Sequence, residues 1–238
     1  MVRGQAEDNR FFLSLVILLA LLALFVLLGS PLFALREIQL EGGSHFTPED
    51  IWKICGLRKN ENLLMIDLER VKALLLAEPR IEDAQVRLEL PDRLQVTVLE
   101  RQPVALIPYG EVFYLVDEAG RLIGAQGYVT ESLPFLTGVR LEEPTVGSKP
   151  ISHGLAVGIL VVNTLDAELA SSVSEVNVED PEDIRLYLRN LIVVRLGDSL
   201  QMKEKLTVLK PLLADLARRN QTPRQIDLSI PSQPVVLQ

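Results

Sequence analysis

The sequence predicts an α+β protein: one transmembrane helix, then a small β-α-α-β-β domain, then a larger and mostly β domain with helices packed on its sheet. Three observations carry this. An uncharged run, "FFLSLVILLALLALFVLLGSPLF" from Phe11 to Phe33, comes near the start. Helix punctuation recurs at short intervals from Leu35 to Arg101. Beyond Gln102, alternating apolar and polar residues dominate.

As a helix, residues 11–33 reach about 35 Å, enough to cross a hydrocarbon core of roughly 30 Å. The rival is a cleaved signal peptide, whose apolar region runs about 7–15 residues before a small-residue cleavage site. This run is longer, and "SPLFALRE" makes a poor site, so the reading is an uncleaved anchor. Arg3 and Arg10 precede the span and Arg36 and Lys53 follow it, which leaves the basic bias nearly balanced. The shortness of the 1–10 tail favours a cytoplasmic N-terminus with the bulk outside the cytoplasm.

The first 33 residues hold two basic and two acidic side chains, so residues 34–238 keep the whole net charge of −8. Phosphate backbones and anionic headgroups are bound through clustered Lys and Arg, and no such run occurs. Nucleic acid is therefore not an expected partner. Cys55 is the sole cysteine and has no intramolecular disulfide partner; the two histidines, His45 and His153, make no metal-ligand spacing. His45 sits in a turn, where solvation is the plain expectation. Phosphate-binding, hydrolase-elbow and zincin motifs are missing, so neither an enzyme nor a cofactor nor a small-molecule substrate is expected.

"REIQLEG" alternates Ile38 and Leu40 with polar residues as a half-buried strand, stopped by Gly42 and Gly43. In "TPEDIWKICG", Thr47 caps a helix with Pro48 at its first position and Gly56 beyond its end, turning Ile51, Ile54 and Cys55 inward. Trp52 reads equally as a partner anchor or as packing. "NLLMIDLERVKALLLAEP" starts a second helix at Asp67, with Leu68, Val71, Leu74 and Leu75 on one stripe and Pro79 closing it. Strands "DAQVRLEL" and "RLQVTVLE" follow, joined at Pro91 and Asp92. The predicted core holds Ile38, Leu68, Leu75, Val96 and Val98.

In the second domain, "VALIPYG" and "VFYLVDEAGRLIG" read as a strand and a hairpin whose turn runs from Asp117 to Gly120. "ISHGLAVGILVVNTLDAEL" reads as one helix, weakened by Gly154 and Gly158 and too short in uncharged length to span a membrane. "SEVNVED", "DIRLYLRN" and "IVVRLGD" alternate as strands. In "SLQMKEKLTVLKPLLADLARRN", Leu206, Leu209, Leu213 and Leu216 make a helical stripe that Pro211 kinks or divides. The tail "RQIDLSIPSQPVVLQ" supplies one or two final strands, and the pattern allows either an edge left open to a partner or a closing strand paired on both sides.

Taken in order, "REIQLEG", "FTPEDI", "NLLMIDLERVKALL", "LPDRLQVTVLERQPVAL", "FYLVDEAGRLIG" and "LPFLTG" resemble the FtsQ/DivIB family of bacterial division proteins, from the anchor through Gly138. The resemblance implies a POTRA (polypeptide-transport-associated) domain at 35–101 and the family's β domain at 102–238. Glu100 and Arg101 then mark a structural junction, open to an ion pair, and not a catalytic pair. It further implies a non-enzymatic scaffold in the cell inner (plasma) membrane at the division septum. That scaffold recruits and regulates other proteins, in particular FtsB/DivIC-like and FtsL-like single-pass partners. Near the C-terminus an "IDLRY"-like segment of the family contributes to partner binding. Here Ile226, Asp227 and Leu228 match, whereas Ser229 and Ile230 stand where Arg and Tyr often occur, and Arg80 stands where an aromatic is common. The candidate partner-binding residues are Ile226, Asp227, Leu228, Val235, Val236 and Leu237. POTRA domains also serve secretion and outer-membrane assembly, but the strands of a transmembrane barrel do not follow here.

Overall fold

A computed structural model describes residues 2–129 and 132–238, with side chains from Phe12 onward. The chain divides into two units between Glu100 and Arg101.

Helix α1 runs from Val2 to Leu28, so the tail expected at 1–10 continues the helix of the span. From Phe12 to Phe33 the chain is long and apolar enough to cross a membrane, and its apolar window is not buried in the protein. Gly29 and Ser30 end the helix. Ser30 then caps a short 3-10 turn, Pro31–Phe33.

Beyond it lie β1 (Glu37–Glu41), α2 (Pro48–Cys55), a 3-10 turn (Leu63–Met65), α3 (Leu68–Leu76), β2 (Ile81–Glu89) and β3 (Arg93–Glu100). The Thr47 side chain accepts from the Asp50 N–H while Asp50 accepts from the Thr47 N–H, a reciprocal cap that fixes where α2 begins. Gly56 ends it at φ 62°, left-handed backbone that suits glycine. Asp67 caps α3 from one side alone, its Oδ1 accepting from the Arg70 N–H at 3.1 Å. Central strand β3 pairs antiparallel with β2 and parallel with β1, because the two helices cross between β1 and β2. The core includes Leu35, Ile38, Ile51, Leu75, Val96 and Val98. Leu68 is only half-buried, since it stands in the first turn of α3 with its side chain at the rim, while Val71 and Leu75 carry the buried stripe. Trp52 and Ile54 pack partly against this core.

The second unit holds β4 (Pro103–Tyr109), β5 (Val112–Asp117), β6 (Leu122–Gln126), β7 (Phe135–Thr137), α4 (His153–Thr164), α5 (Ala167–Ser172), β8 (Val173–Asn177), β9 (Ile184–Leu188), β10 (Val193–Gly197), α6 (Met202–Arg218), β11 (Gln225–Asp227) and β12 (Val235–Leu237). Among the described residues these strands form one nine-stranded sheet, in the order β12-β11-β10-β9-β8-β7-β4-β5-β6. The single helix expected over 151–169 is two. Leu165 leaves the helical path, and Asp166 starts α5 by accepting from the Leu169 N–H at 2.8 Å. Helix α4 is buried on most sides, at Leu155, Val157, Ile159, Val161 and Val162. Its Gly158 lies so close to β7 that an added Cβ would come within 2.2 Å of the Leu136 side chain. Pro211 does not divide α6, since the proline lies on the exposed side of one continuous helix. Leu206, Leu209 and Leu216 are buried as the stripe requires, with Leu213 half-buried. The sequence pattern did not reveal Lys205. Its stem lies in the core and its Nζ donates to the Asp198 carbonyl at 2.9 Å and to Asp198 Oδ1 at 2.8 Å.

Leu75→Ala should destabilise the protein by about 2–5 kcal/mol, because this side chain has no exposure and truncation leaves a cavity. Its exposed neighbour Leu76→Ala should stay within roughly 0.5 kcal/mol in the same denaturant titration. Gly138→Ala should cost more than about 1 kcal/mol, since φ is +77° and the new Cβ would sit 2.3 Å from the Glu179 nitrogen.

Candidate interaction site at the C-terminal sheet edge

Short strand β12 is the last of the nine-stranded sheet. Val235, Val236 and Leu237 face Asp227, Ile226 and Gln225 of β11, and no described strand lies on the other side. A terminal strand presents a row of backbone N–H and C=O groups, and three residues give a row of about 10 Å. Val235 and Leu237 are half exposed, at 51% and 48%, whereas Val236 packs partly on the core. Two alternate side chains thus accompany the open row, the arrangement by which an added strand is read.

The six sequence candidates divide sharply here. Ile226 and Leu228 are fully buried, and β11 is paired on both sides, by β10 and β12. No partner reaches these two side chains without unfolding the sheet, so a contact role for them is corrected to a supporting one. The correction follows from register: alternate residues of a strand share a face, and Ile226 and Leu228 share the one toward α6 and the core. The Leu228 N–H, donating to the Arg195 carbonyl at 2.8 Å, continues the ladder beyond β11.

Asp227, half-buried, is a structural tie. Its Oδ1 accepts from the Ser229 N–H at 2.9 Å and the Ser229 hydroxyl at 2.7 Å, and its Oδ2 accepts from Arg195 Nη1 at 3.1 Å. Arg195 also donates through Nε to Asp183 Oδ1 at 2.5 Å, and Asp183 accepts from Arg185 as well. Alternating charges therefore stitch β9, β10 and β11 together beneath the edge. Burial works to raise the Asp227 carboxyl, but the Ser229 bonds and the Arg195 guanidinium outweigh it and hold the group below its ordinary value of 3.8. The Arg195 guanidinium, against burial and with help from Arg185, holds Asp183 low too. The sequence named Asp227 without its partners. Arg195 and Asp183 alternate on strands like any exposed charge, and only strand order makes them neighbours.

A groove of about 700 Å³ lies between α5, α6 and the β9–β10 turn, lined by Leu169, Leu188, Ile192, Leu213 and Leu216. Gln221 and Thr222, on the approach to β11, also line it. Lys210 at its rim is not a free cation: Asp166 and Glu168 each accept from it at 2.8 Å and push its pKa upward.

Elsewhere, Glu100 and Arg101 do not pair with each other. Glu100 is buried, its Oε2 2.7 Å from the His45 ring and its Oε1 accepting from the His45 N–H. His45 is thus a partner of a buried carboxylate and not merely a solvated turn residue, a contact across 55 positions that no local pattern signals. Burial pushes Glu100 up, but the His45 and Ser44 bonds leave it lowered. Arg101 donates to Asp117 Oδ2 at 3.2 Å, while Asp117 Oδ1 accepts from the Ala119 and Arg121 N–H groups of its own turn. Cys55 is buried, its thiol pushed up to about 11 by desolvation. Among the described residues no group of three His, Cys, Asp or Glu is placed to hold a metal ion.

A helix long and apolar enough to cross a membrane, then a three-stranded α+β unit, then a second α+β unit whose sheet ends in the open strand β12, define the class by its architecture. Comparison with known proteins narrows this. Residues 33–101 match the model of the FtsQ-type POTRA domain, and residues 105–229 match that of the FtsQ/DivIB cell division protein C-terminal region. The chain belongs to the FtsQ/DivIB family of cell division proteins, so the rival reading as a secretion or outer-membrane assembly component gives way. Similar proteins include FtsQ of Anaeromyxobacter sp. (strain K), 31% identical over 79% of this chain and 64% of that protein. FtsQ of Chloroflexus aurantiacus is 26% identical over 90% of this chain and 79% of its own. DivIB of Clostridium acetobutylicum is 26% identical over 69% and 67%. The chain therefore spans just under two thirds of the Anaeromyxobacter relative's length. A solved extracytoplasmic domain of DivIB from Geobacillus stearothermophilus matches at 20% identity and TM-score 0.34, covering 52% of this chain and 99% of that one. The C-terminal match stops at residue 229, so β12 lies past it.

Because the folded chain holds Asp227 and Asp183 below 3.8, their stabilisation is present in full above that pH and is lost as the pH falls through and below it. Asp227→Asn should therefore lower the melting temperature at pH 7 and flatten its decline between neutral and acidic pH. Thermal unfolding monitored across that range checks this; parallel curves for variant and wild type would contradict it.

Proposed function

We propose that this protein is a non-enzymatic, membrane-anchored scaffold of the bacterial division complex, which recruits and regulates other division proteins at the septum. In this reading 1–10 is cytoplasmic, 11–33 spans the inner membrane, and the POTRA domain (35–101) and the β domain (102–238) lie outside the cytoplasm. The observation that carries it is the open row of β12. A FtsB/DivIC-like partner adds a strand there, with Val235 and Leu237 supplying side-chain contacts and Ile226, Asp227 and Leu228 holding the platform rigid. Sequence continuity from Thr222 into β11 brings the groove beside α6 next to the same edge, where apolar residues flanking the added strand have a place to rest. A FtsL-like partner joins through the same assembly. Family membership supports the division role, and the one helix among the described residues that is long and apolar enough to cross a membrane supports the anchor.

Capture by the full-length protein of a FtsB/DivIC-like partner tests this. Leu237→Asp and deletion of 235–238 should each weaken capture about tenfold or more, equivalent to about 1.4 kcal/mol, while cooperative unfolding persists. Leu228→Asp should instead unfold the second unit, because it places a charge in the core. If the strand-deleted protein stays folded and captures the partner as well as wild type does, the interface lies elsewhere.

A further inference from the structure

The first unit exposes four large apolar side chains close to the exit of the span: Leu32 at 52%, Leu64 at 36%, Met65 at 83% and Leu90 at 56%. They come from three segments far apart in sequence, and each segment is bonded to the stretch that leaves α1. Leu32 belongs to the 3-10 turn directly after the helix. Asn62, beside Leu64 and Met65, donates through Nδ2 to the last helical carbonyl, Leu28, at 2.8 Å, and pairs with Ala34 as an isolated bridge. The Leu35 N–H donates to the Glu61 carbonyl at 2.8 Å, and the Asn60 N–H donates back to Leu35 at 2.9 Å. Leu90 is two residues before Asp92, whose carbonyl accepts from the Arg36 N–H at 2.9 Å.

These bonds hold all three segments within a few residues' reach of the place where the apolar span ends. The side chains gathered there would be a poor choice for water, and the neighbouring medium is lipid. In sequence, Arg36, Arg58 and Lys59 lie near these segments together with Glu61 and Asp92, the last paired with Arg36, which leaves little net charge to draw the unit to anionic headgroups. Apolar contact is the interaction that remains. The apolar part of α1, Phe12–Leu28, covers about 25 Å as a helix, so the candidate span, which runs on to Phe33, takes in the 3-10 turn as well. We propose that Leu32, Leu64, Met65 and Leu90 form an apolar foot by which the first unit rests in the lipid interface. The unit is then seated on the bilayer and does not swing freely from its anchor.

The inference rests on residues 12–33 spanning the membrane, and the test separates the two. Full-length protein reconstituted into phosphatidylcholine and phosphatidylglycerol vesicles carries one environment-sensitive fluorophore at a time, on Met65→Cys, Leu90→Cys, Leu99→Cys or Leu21→Cys. Cys55 is buried and desolvation pushes its thiol up to about 11, both of which slow its labelling, and the unsubstituted protein carried through the same reaction sets the background. Leu99 is as exposed as Leu90, at 57%. It lies at the far end of β3, roughly 20 Å from the Arg93 end. The probes at Met65 and Leu90 should shift to the blue and lose most of their emission to lipids spin-labelled just below the headgroup, while the probe at Leu99 keeps its emission. Leu21 should be quenched by lipids labelled deep in the acyl chain; if it is not, the span reading fails, and the foot fails with it. If Leu21 is quenched but Met65 and Leu90 behave like Leu99, the foot alone is overturned. A blue shift at Met65 and Leu90 without quenching by labelled lipid would mean that protein covers these residues, and that too overturns it.

Discussion

A sheet that does not close on itself leaves a row of backbone groups unpaired on its last strand, and this constraint organises the second unit. Such a row is costly to bury and hazardous to expose, so natural proteins keep edge strands short or cover them. Strand β12 is three residues long and joins the sheet through β11 alone. What keeps so short an edge in place lies behind it: Ile226 and Leu228 in the core, and the chain of charges from Arg185 through Asp183 and Arg195 to Asp227. Any strand added to a sheet binds more tightly where the edge is already ordered, since ordering it on binding would subtract from affinity.

The same logic of local anchoring governs the passage from one unit to the next. Glu100 and Arg101 are adjacent and opposite in charge, yet each turns away from the other, Glu100 to His45 and Arg101 to Asp117. Each partner belongs to the same unit as the residue it holds. Both side chains are shielded enough that an unpaired charge would be expensive, and the pairings remove that cost on either side of the boundary. Glu100 and Arg101 are therefore each held within their own unit.

The buried polar groups of the described residues, Glu100, Asp117 and Lys205, have partners that explain them structurally. The fold spends its irregular features on contacts: Gly138 and Gly158 bring backbones within reach of Glu179 and Leu136, so that β7 sits tightly beneath α4.

The sequence by itself determined much of the fold. Lack of charge over 11–33 dictated a helix that can cross a membrane, because lipid demands internal backbone bonding. Thr47, Asp67 and Gly56 placed helix ends through bonds spanning a few residues, and alternation marked most of the strands and the buried face of Val96 and Val98. Only the tertiary structure decided the rest. Which of Ile226, Asp227, Leu228, Val235, Val236 and Leu237 meets solvent depended on β12 turning back along β11 as the outermost strand. How deep Leu68 and Lys205 lie was set by the packing of their helices, whereas the break at Leu165 follows from the Asp166 cap, a local bond that the long apolar run concealed. The ties that matter most join residues 12, 32 and 55 positions apart. Periodicity and capping report interactions within a turn or a pleat, and pairings over such distances exist only once the strands have chosen their order.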